Sequence, residues 1–155
     1  MRIGHGFDAH AFAEGRALML GGVHVPHERG LAGHSDGDAL LHAVIDALLG
    51  AAAMGDIGQM FPSSDERWRD AASIDLLAAA ARRIRDVGYR LINVDATVIA
   101  ERPRLSPHIG EMRACIARTL EIDITSVSVK PKTADGLGFT GRSEGIAAFA
   151  VALLE

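Results

Sequence analysis

Asp8 and His10 stand two residues apart at the end of a stretch that alternates in part over Arg2–Asp8 and reads as a strand to about His10. Residues at that spacing on a strand point to the same side. His42 lies in a segment with helical periodicity, and Asp38 and Asp46 flank it at four residues on either side, along one helical stripe. A metal-bound imidazole uses one ring nitrogen for the ion and donates the other N–H to a neighbouring acceptor that fixes the tautomer. The spacing therefore predicts Asp8, His10 and His42 as a two-histidine, one-carboxylate ligand set, with Asp38 and Asp46 behind His42. Three protein ligands leave a zinc ion a fourth position for water or substrate. One carboxylate and two neutral imidazoles around a divalent cation leave a net positive charge, suited to an anion. Each element alone has a plain structural reading, since Asp-x-His is a common pair and two aspartates on a helix usually face water.

Other segments offer groups for an anionic ligand. His34 and Ser35 precede the first helix, where backbone N–H groups favour anions. Lys132, Thr133, Ala134 and Asp135 bring a cation, a hydroxyl and a carboxylate just ahead of Gly136-Leu-Gly-Phe139-Thr-Gly-Arg142. Bare backbone amides and an arginine fork there could cradle phosphate, although a glycine-rich turn between strands explains the same residues. A carboxylate beside a phosphate is sensible when a divalent cation lies between them. Gly55-Asp56-Ile57-Gly58 and Phe61-Pro62-Ser63-Ser64-Asp65 read as a loop fit for a polyol, or as a simple turn.

The elements that must position these groups follow from periodicity. Strands are expected from Arg2 to about His10, over Leu18–Val25, over Leu91–Ala100 and over Val127–Lys132. Leu40, Leu41, Val44, Ile45, Leu48 and Leu49 repeat at three and four, which gives a helix capped by Ser35 or Asp36. A second helix is expected over Ser73–Val87 with Gly88 as its stop, and a third from Ser106-Pro107 to Leu120. The apolar run Ile146–Leu154 fits strand or helix by periodicity, and its length and glycine boundary favour a buried strand. The expected fold is mixed α+β, one two-layer domain over residues 1–155, with a four- to five-stranded sheet covered on one face by three helices.

Composition narrows the function classes. The 155 residues are 48% hydrophobic, enough for a single core. Sixteen basic against 20 acidic side chains give a net charge of −4, which disfavours a nucleic-acid stripe or a polybasic membrane anchor. Aromatic content of 5% disfavours stacking platforms for single-stranded nucleic acid. The lone Cys115 excludes an intramolecular disulfide and a cysteine-rich zinc module. No apolar run reaches the roughly 20 residues of a membrane span, and the first residues do not read as a secretory leader. The expectation is a cytoplasmic protein without nucleic-acid or membrane partners. Six of the seven histidines lie in the first 42 residues, which places the chemistry in the N-terminal third.

Four motifs in register, Gly4-His-Gly-Phe-Asp8-x-His10, His34-Ser-Asp-Gly-Asp-Ala-Leu-Leu-His42, Asp46 through Gly55-Asp-Ile-Gly58 to Phe61-Pro62, and Gly138-Phe-Thr-Gly-Arg142-Ser-Glu-Gly145, resemble the 2-C-methyl-D-erythritol 2,4-cyclodiphosphate synthase family along the whole chain. The resemblance implies conversion of 4-diphosphocytidyl-2-C-methyl-D-erythritol 2-phosphate to the cyclic diphosphate with release of CMP, in isoprenoid precursor synthesis. It implies zinc on Asp8, His10 and His42, and magnesium or manganese at Asp135. His34 and Thr133 match positions that orient the diphosphate. Asp56 and Gly58, with neighbouring Ile57, Phe61, Pro62, Ser63, Ser64 and Asp65, match the erythritol side. Ala100, Glu101, Arg102, Pro103, Arg104, Leu105 and Ser106 match the cytidine pocket. Lys132, Ala134, Phe139 and Arg142 match further substrate-side positions. The resemblance also implies a homotrimer with active sites between subunits, and Arg142 and Glu144 facing a trimer axis that can hold an isoprenoid diphosphate.

The chain departs from the family's usual residues at Asp135 (glutamate), Ser63 (aspartate in some members), Arg104 (lysine) and Glu101 (glutamine). Two other readings compete. A zinc phosphohydrolase would use the open site to activate water. A non-catalytic trimeric isoprenoid-diphosphate binding protein would close its zinc with a fourth protein ligand.

Overall fold

The computed structural model describes residues 1–155. In chain order the elements are β1 (Arg2–Ala13), β2 (Leu18–Leu20), β3 (Val23–Val25), β4 (Gly30–Leu31), α1 (Ala39–Ala51), α2 (Ile57–Met60), α3 (Ser73–Asp86), β5 (Leu91–Ile99), α4 (Ile109–Leu120), β6 (Val127–Lys132), α5 (Gly138–Gly141) and β7 (Gly145–Leu154). Five strands form one sheet in the order β4-β1-β7-β5-β6, and β2 and β3 form a separate hairpin. All pairings in the main sheet are antiparallel except β5 with β6. The parallel pair is joined through α4, as a crossover connection requires.

Helix α1 lies along β1 and β7, α4 covers β6, and α3 packs beside both helices. Its burial makes α1 the centre of the core: Leu40, Leu41, Val44 and Ile45 are fully buried. They meet Val94 and Val98 of β5, Ile116 of α4 and Ala148 of β7 in one continuous hydrophobic cluster. The mixed α+β expectation of a five-stranded sheet under three main helices holds.

The glycines of β1 explain how α1 comes so close. Burial alternates along β1, with Gly4 and Gly6 buried towards α1 and Ile3, His5 and Phe7 turned to the other face. A Cβ on Gly4 would stand 1.9 Å from the Ala47 carbonyl oxygen, and one on Gly6 1.9 Å from that of Ala43. Helix backbone therefore rests on strand backbone. Two and four residues beyond Gly6, on the same side, come Asp8 and His10.

Local expectations need four corrections. Leu18–Val25 is a hairpin and not one strand, because Gly21 and Gly22 take φ of 60° and 74°, the left-handed pair that a two-residue hairpin turn demands. Strand β4, two residues against Phe12 and Ala13, was too short to be read from pattern. The cap of α1 is Asp38, whose side chain accepts from Leu41 N–H, and not Ser35 or Asp36. The third helix starts as a separate tight turn at Ser106–His108 before α4.

Candidate metal centre and adjoining clefts

At the N-terminal end of α1, His42 sits over the C-terminal half of β1. Its Nδ1 is 2.9 Å from Asp8 Oδ2 and 3.2 Å from His10 Nε2. His10 Nε2 is 2.8 Å from the same Asp8 oxygen. One ligand atom from each of the three residues lies within 4.8 Å of the others. Donors around a tetrahedral zinc at bond lengths of about 2.0 Å stand roughly 3.3 Å apart, so the set fits a zinc ion with a small spreading of the three atoms. A site of one carboxylate and two imidazoles also suits that metal's chemistry.

Charge binds the triad together. Burial works against the Asp8 carboxylate, but hydrogen bonds and charge from His10 and His42 outweigh it and hold its pKa well below the usual carboxylate range. Burial would lower the His10 pKa, and the hydrogen bond and charge of Asp8 raise it above its ordinary value.

The two histidines offer different nitrogens. His10 presents Nε2 and pairs Nδ1 with the Ala32 carbonyl. His42 presents Nδ1, and its Nε2 is 2.8 Å from Ser73 Oγ and 3.1 Å from Ser35 Oγ. Neither Asp38 nor Asp46 stands behind His42, which corrects the expectation from spacing. The Asp38 carboxylate turns to the β2–β3 turn and accepts from Gly21 and Gly22 N–H at 2.9 and 2.7 Å, as well as capping α1. Asp46 accepts from Ile57 N–H at 2.7 Å, so it anchors the loop after α1. Burial pushes the Asp46 carboxyl up, against the pull of that N–H.

A cleft of about 360 Å³ opens at the triad. Its walls hold Asp8, His10, His34, Ser35, His42, Ile57, Gly58, Phe61, Pro62, Ser63 and Ser64, together with Trp68 and Leu76, which sequence reasoning missed. Trp68 packs edge-on against Phe61 with ring centroids 5.0 Å apart, a pairing that a lone tryptophan in a polar loop signalled only weakly. Asp56 and Asp65 do not line the cleft. Asp56 caps α2 through Gln59 N–H at 2.8 Å, and Asp65 caps the turn Glu66–Trp68 and pairs with Arg67 at 2.6 Å.

A second cavity, of about 280 Å³, gathers Ala100, Glu101, Arg102, Pro103, Arg104, Leu105 and Ser106 with Pro131, Lys132 and Thr133. The two cavities share no residue. Asp135 lies beside the second, where its Oδ1 accepts from Thr133 Oγ1 at 3.0 Å. Ala134, Asp135, Phe139 and Arg142 line neither cavity. Arg142 donates to Glu144 at 2.8 Å on the surface.

Fold and centre together define an α+β protein with an Asp8-His10-His42 group, arranged as a metal ion would need it, at the edge of a cleft. The chain belongs to the YgbB family, whose model matches residues 1–155. The 2-C-methyl-D-erythritol 2,4-cyclodiphosphate synthase of Syntrophomonas wolfei is 57% identical over 155 residues, covering 100% of this chain and 99% of the relative. That of Salinibacter ruber is also 57% identical, with the same coverage. Among solved structures, a CDP-bound 2C-methyl-D-erythritol-2,4-cyclodiphosphate synthase superposes with a TM-score of 0.91 at 38% identity, covering 99% of this chain and all of that one. The bifunctional IspDF of Campylobacter jejuni gives a TM-score of 0.95 at 43% identity, covering 99% of this chain, which spans 42% of that longer protein.

Proposed function

We infer that this chain is a phosphorus–oxygen lyase that cyclises 4-diphosphocytidyl-2-C-methyl-D-erythritol 2-phosphate to 2-C-methyl-D-erythritol 2,4-cyclodiphosphate and releases CMP, in the methylerythritol phosphate route to isoprenoids. The observation that carries the reading is the triad of Asp8, His10 and His42 opening on a phosphate-sized cleft in a chain 57% identical to such synthases along its length.

An oxygen of the 2-phosphate attacks the β-phosphorus. The bond from that phosphorus to the bridging oxygen breaks, and CMP carries away the electron pair. The nucleophile is already an anion, so no general base is required, and alignment and charge neutralisation carry the rate. Zinc on Asp8, His10 and His42, and magnesium or manganese near Asp135, supply positive charge to the phosphates when bound. His34 is assigned to the diphosphate: it lines the cleft, and its buried Nε2 has no hydrogen-bond partner within the chain, so a small turn of the ring would bring an unpaired nitrogen to a phosphate oxygen. Its loop is held by Asp70 N–H to the His34 carbonyl at 2.8 Å and by Arg16 to the Gly33 carbonyl at 2.9 Å. Ile57 and Gly58, anchored through Asp46, receive the erythritol. Ala100–Ser106 receive the cytidine, and Thr133 steadies the diphosphate.

A homotrimer follows from the same reasoning. The cavity proposed for cytidine and the cleft proposed for the erythritol share no lining residue in one chain, which supports a site completed by a neighbour. The sheet face without helices exposes Ile3, Phe7, Phe149 and Val151 at 73, 49, 38 and 40%. Such an apolar face calls for a partner, and a C₃ arrangement of three copies buries it. The Arg142–Glu144 pair and an isoprenoid diphosphate belong on the axis of that trimer. No helix is long and apolar enough to cross a membrane; a cytoplasmic location is proposed with the biosynthetic activity.

The non-catalytic reading loses ground because only three ligand groups gather at the centre, with no fourth histidine, cysteine or carboxylate to close it. The test is CMP release from the diphosphocytidyl substrate by zinc-loaded protein with magnesium. Turnover abolished by chelation and restored by the two ions is expected; loaded protein that releases no CMP overturns the assignment.

A further inference from the structure

We propose that Ser73, held by Asp36, is the positioning group that fixes the tautomer of His42 and so aims its Nδ1 lone pair into the centre. The inference rests on the reading of Asp8, His10 and His42 as metal ligands.

The direction of each hydrogen bond is set by chemistry. A carboxylate can only accept. Asp36 takes the backbone N–H of Ser73 on Oδ2 at 3.0 Å and the Ser73 hydroxyl on Oδ1. With its proton committed to Asp36, Ser73 Oγ has only lone pairs to offer His42 Nε2, 2.8 Å away. A neutral imidazole has one N–H and one bare nitrogen. With a cation bound at Nδ1, His42 must carry its proton on Nε2, where Ser73 Oγ is placed to accept it; without one, Nδ1 can instead donate to Asp8 Oδ2 at 2.9 Å. His10 reaches the complementary state by another device, the Ala32 carbonyl on its Nδ1. Each ring thus has an acceptor placed for the N–H that points away from the centre, one from the main chain and one from a serine 31 residues away.

The arrangement is buried and tied from several sides. Ser73 is 0% exposed. Helix α3 has no side-chain cap from Ala72, and Asp36 fills that role from outside by holding Ser73 N–H. Asp36 N–H in turn donates to the Ala71 carbonyl at 3.1 Å. The same carboxylate thus couples the start of α3, the ring of His42 and the loop that carries His34. Ser35 Oγ, 3.1 Å from Nε2, is a weaker second acceptor that also receives Gly37 N–H at 3.3 Å.

The test uses the full chain without substrate. Zinc affinity is measured by chelator competition, and cobalt substitution reports the ligand field. Outer partners of metal-bound histidines are worth about 10–100-fold in affinity. Ser73→Ala is expected to weaken zinc binding by about 10-fold and, with Ser35→Ala added, by about 100-fold. The cobalt visible band should change, while the unfolding temperature of the metal-free protein stays near wild type. Ser73→Thr, which keeps the hydroxyl, should hold zinc within about threefold of wild type. If Ser73→Ala does not fold, Asp36→Asn takes its place: an amide N–H turned on Ser73 Oγ frees the serine proton to point at Nε2, and zinc binding should again weaken. Folded Ser73→Ala or Asp36→Asn with wild-type zinc affinity and an unchanged cobalt band overturns the proposal. Wild-type protein that binds zinc but makes no CMP would instead sink the functional reading and leave this one standing.

Discussion

Gly6→Ala tests how the centre is assembled. Gly6 is ordinary extended strand, so the new methyl strains nothing in its own backbone; the cost lies in what it meets. Its Cβ would fall 1.9 Å from the Ala43 carbonyl oxygen and 2.8 Å from Ala47 N, where ordinary contact begins at 3.4 Å. To restore that contact α1 must retreat from β1 by about 1.5 Å, the difference between 3.4 and 1.9 Å. The obstacle is helix backbone and cannot rotate away, so the overpacking cost falls near the upper end of about 1–3 kcal/mol. Ala43 follows His42 directly, so the ring moves with it. Metal ligands must match their distances within about 0.2 Å, and a misplacement of about 1 Å costs on the order of 100-fold. Gly6→Ala is therefore expected to lose about 3 kcal/mol in urea unfolding and about 100-fold in turnover, with weakened zinc binding. Gly4→Ala meets Ala47 O at the same 1.9 Å, one helical turn further from His42. It should cost similar stability and less zinc affinity. Gly110→Ala, in the first turn of α4 with nothing within 4 Å, serves as a control and should leave stability and zinc affinity near wild type. Gly6→Ala with wild-type stability and zinc affinity would refute the view that strand–helix backbone contact sets the position of His42.

Other expectations follow from single contacts. His42→Ala should stay folded by circular dichroism while losing stoichiometric zinc and turnover; near-wild-type turnover would contradict the zinc assignment. Asp38→Asn puts an amide N–H against one of three backbone N–H donors and should cost about 1–3 kcal/mol, with a smaller loss of zinc affinity than Ser73→Ala, since the Asp38 carboxylate makes no hydrogen bond to the His42 ring. Phe149→Asp, on the sheet face away from the helices, tests the proposed trimer: folded monomers in sedimentation without turnover are expected if each site takes residues from two chains, and an active monomer would contradict the interface.

The ligands themselves were legible because they follow local rules. Asp8 and His10 share a strand face by parity, and His42 falls on a helix whose period is plain. Their meeting was not legible, since it depends on Gly4 and Gly6 admitting α1 onto β1. The partner of His42 was misread for a related reason. Spacing along one helix pointed to Asp38 and Asp46, and the acceptor is Ser73, 31 residues on, delivered by tertiary packing. Asp38 went elsewhere because two glycine N–H groups of a buried turn required an acceptor. That turn was readable, as Gly21-Gly22 between apolar pairs is a hairpin signal, but the apolar run around it suggested one strand. The exposed apolar face of β1 and β7 has the alternation of a half-buried strand, and only topology tells which half meets solvent.

Cyclisation is read from the product by phosphorus NMR. Zinc-loaded protein with magnesium and the diphosphocytidyl substrate should yield two coupled diphosphate resonances of a cyclic product, together with equimolar CMP and no inorganic phosphate. Inorganic phosphate or an open-chain phosphate in place of the cyclic diphosphate would mean that the centre activates water, and would contradict the account.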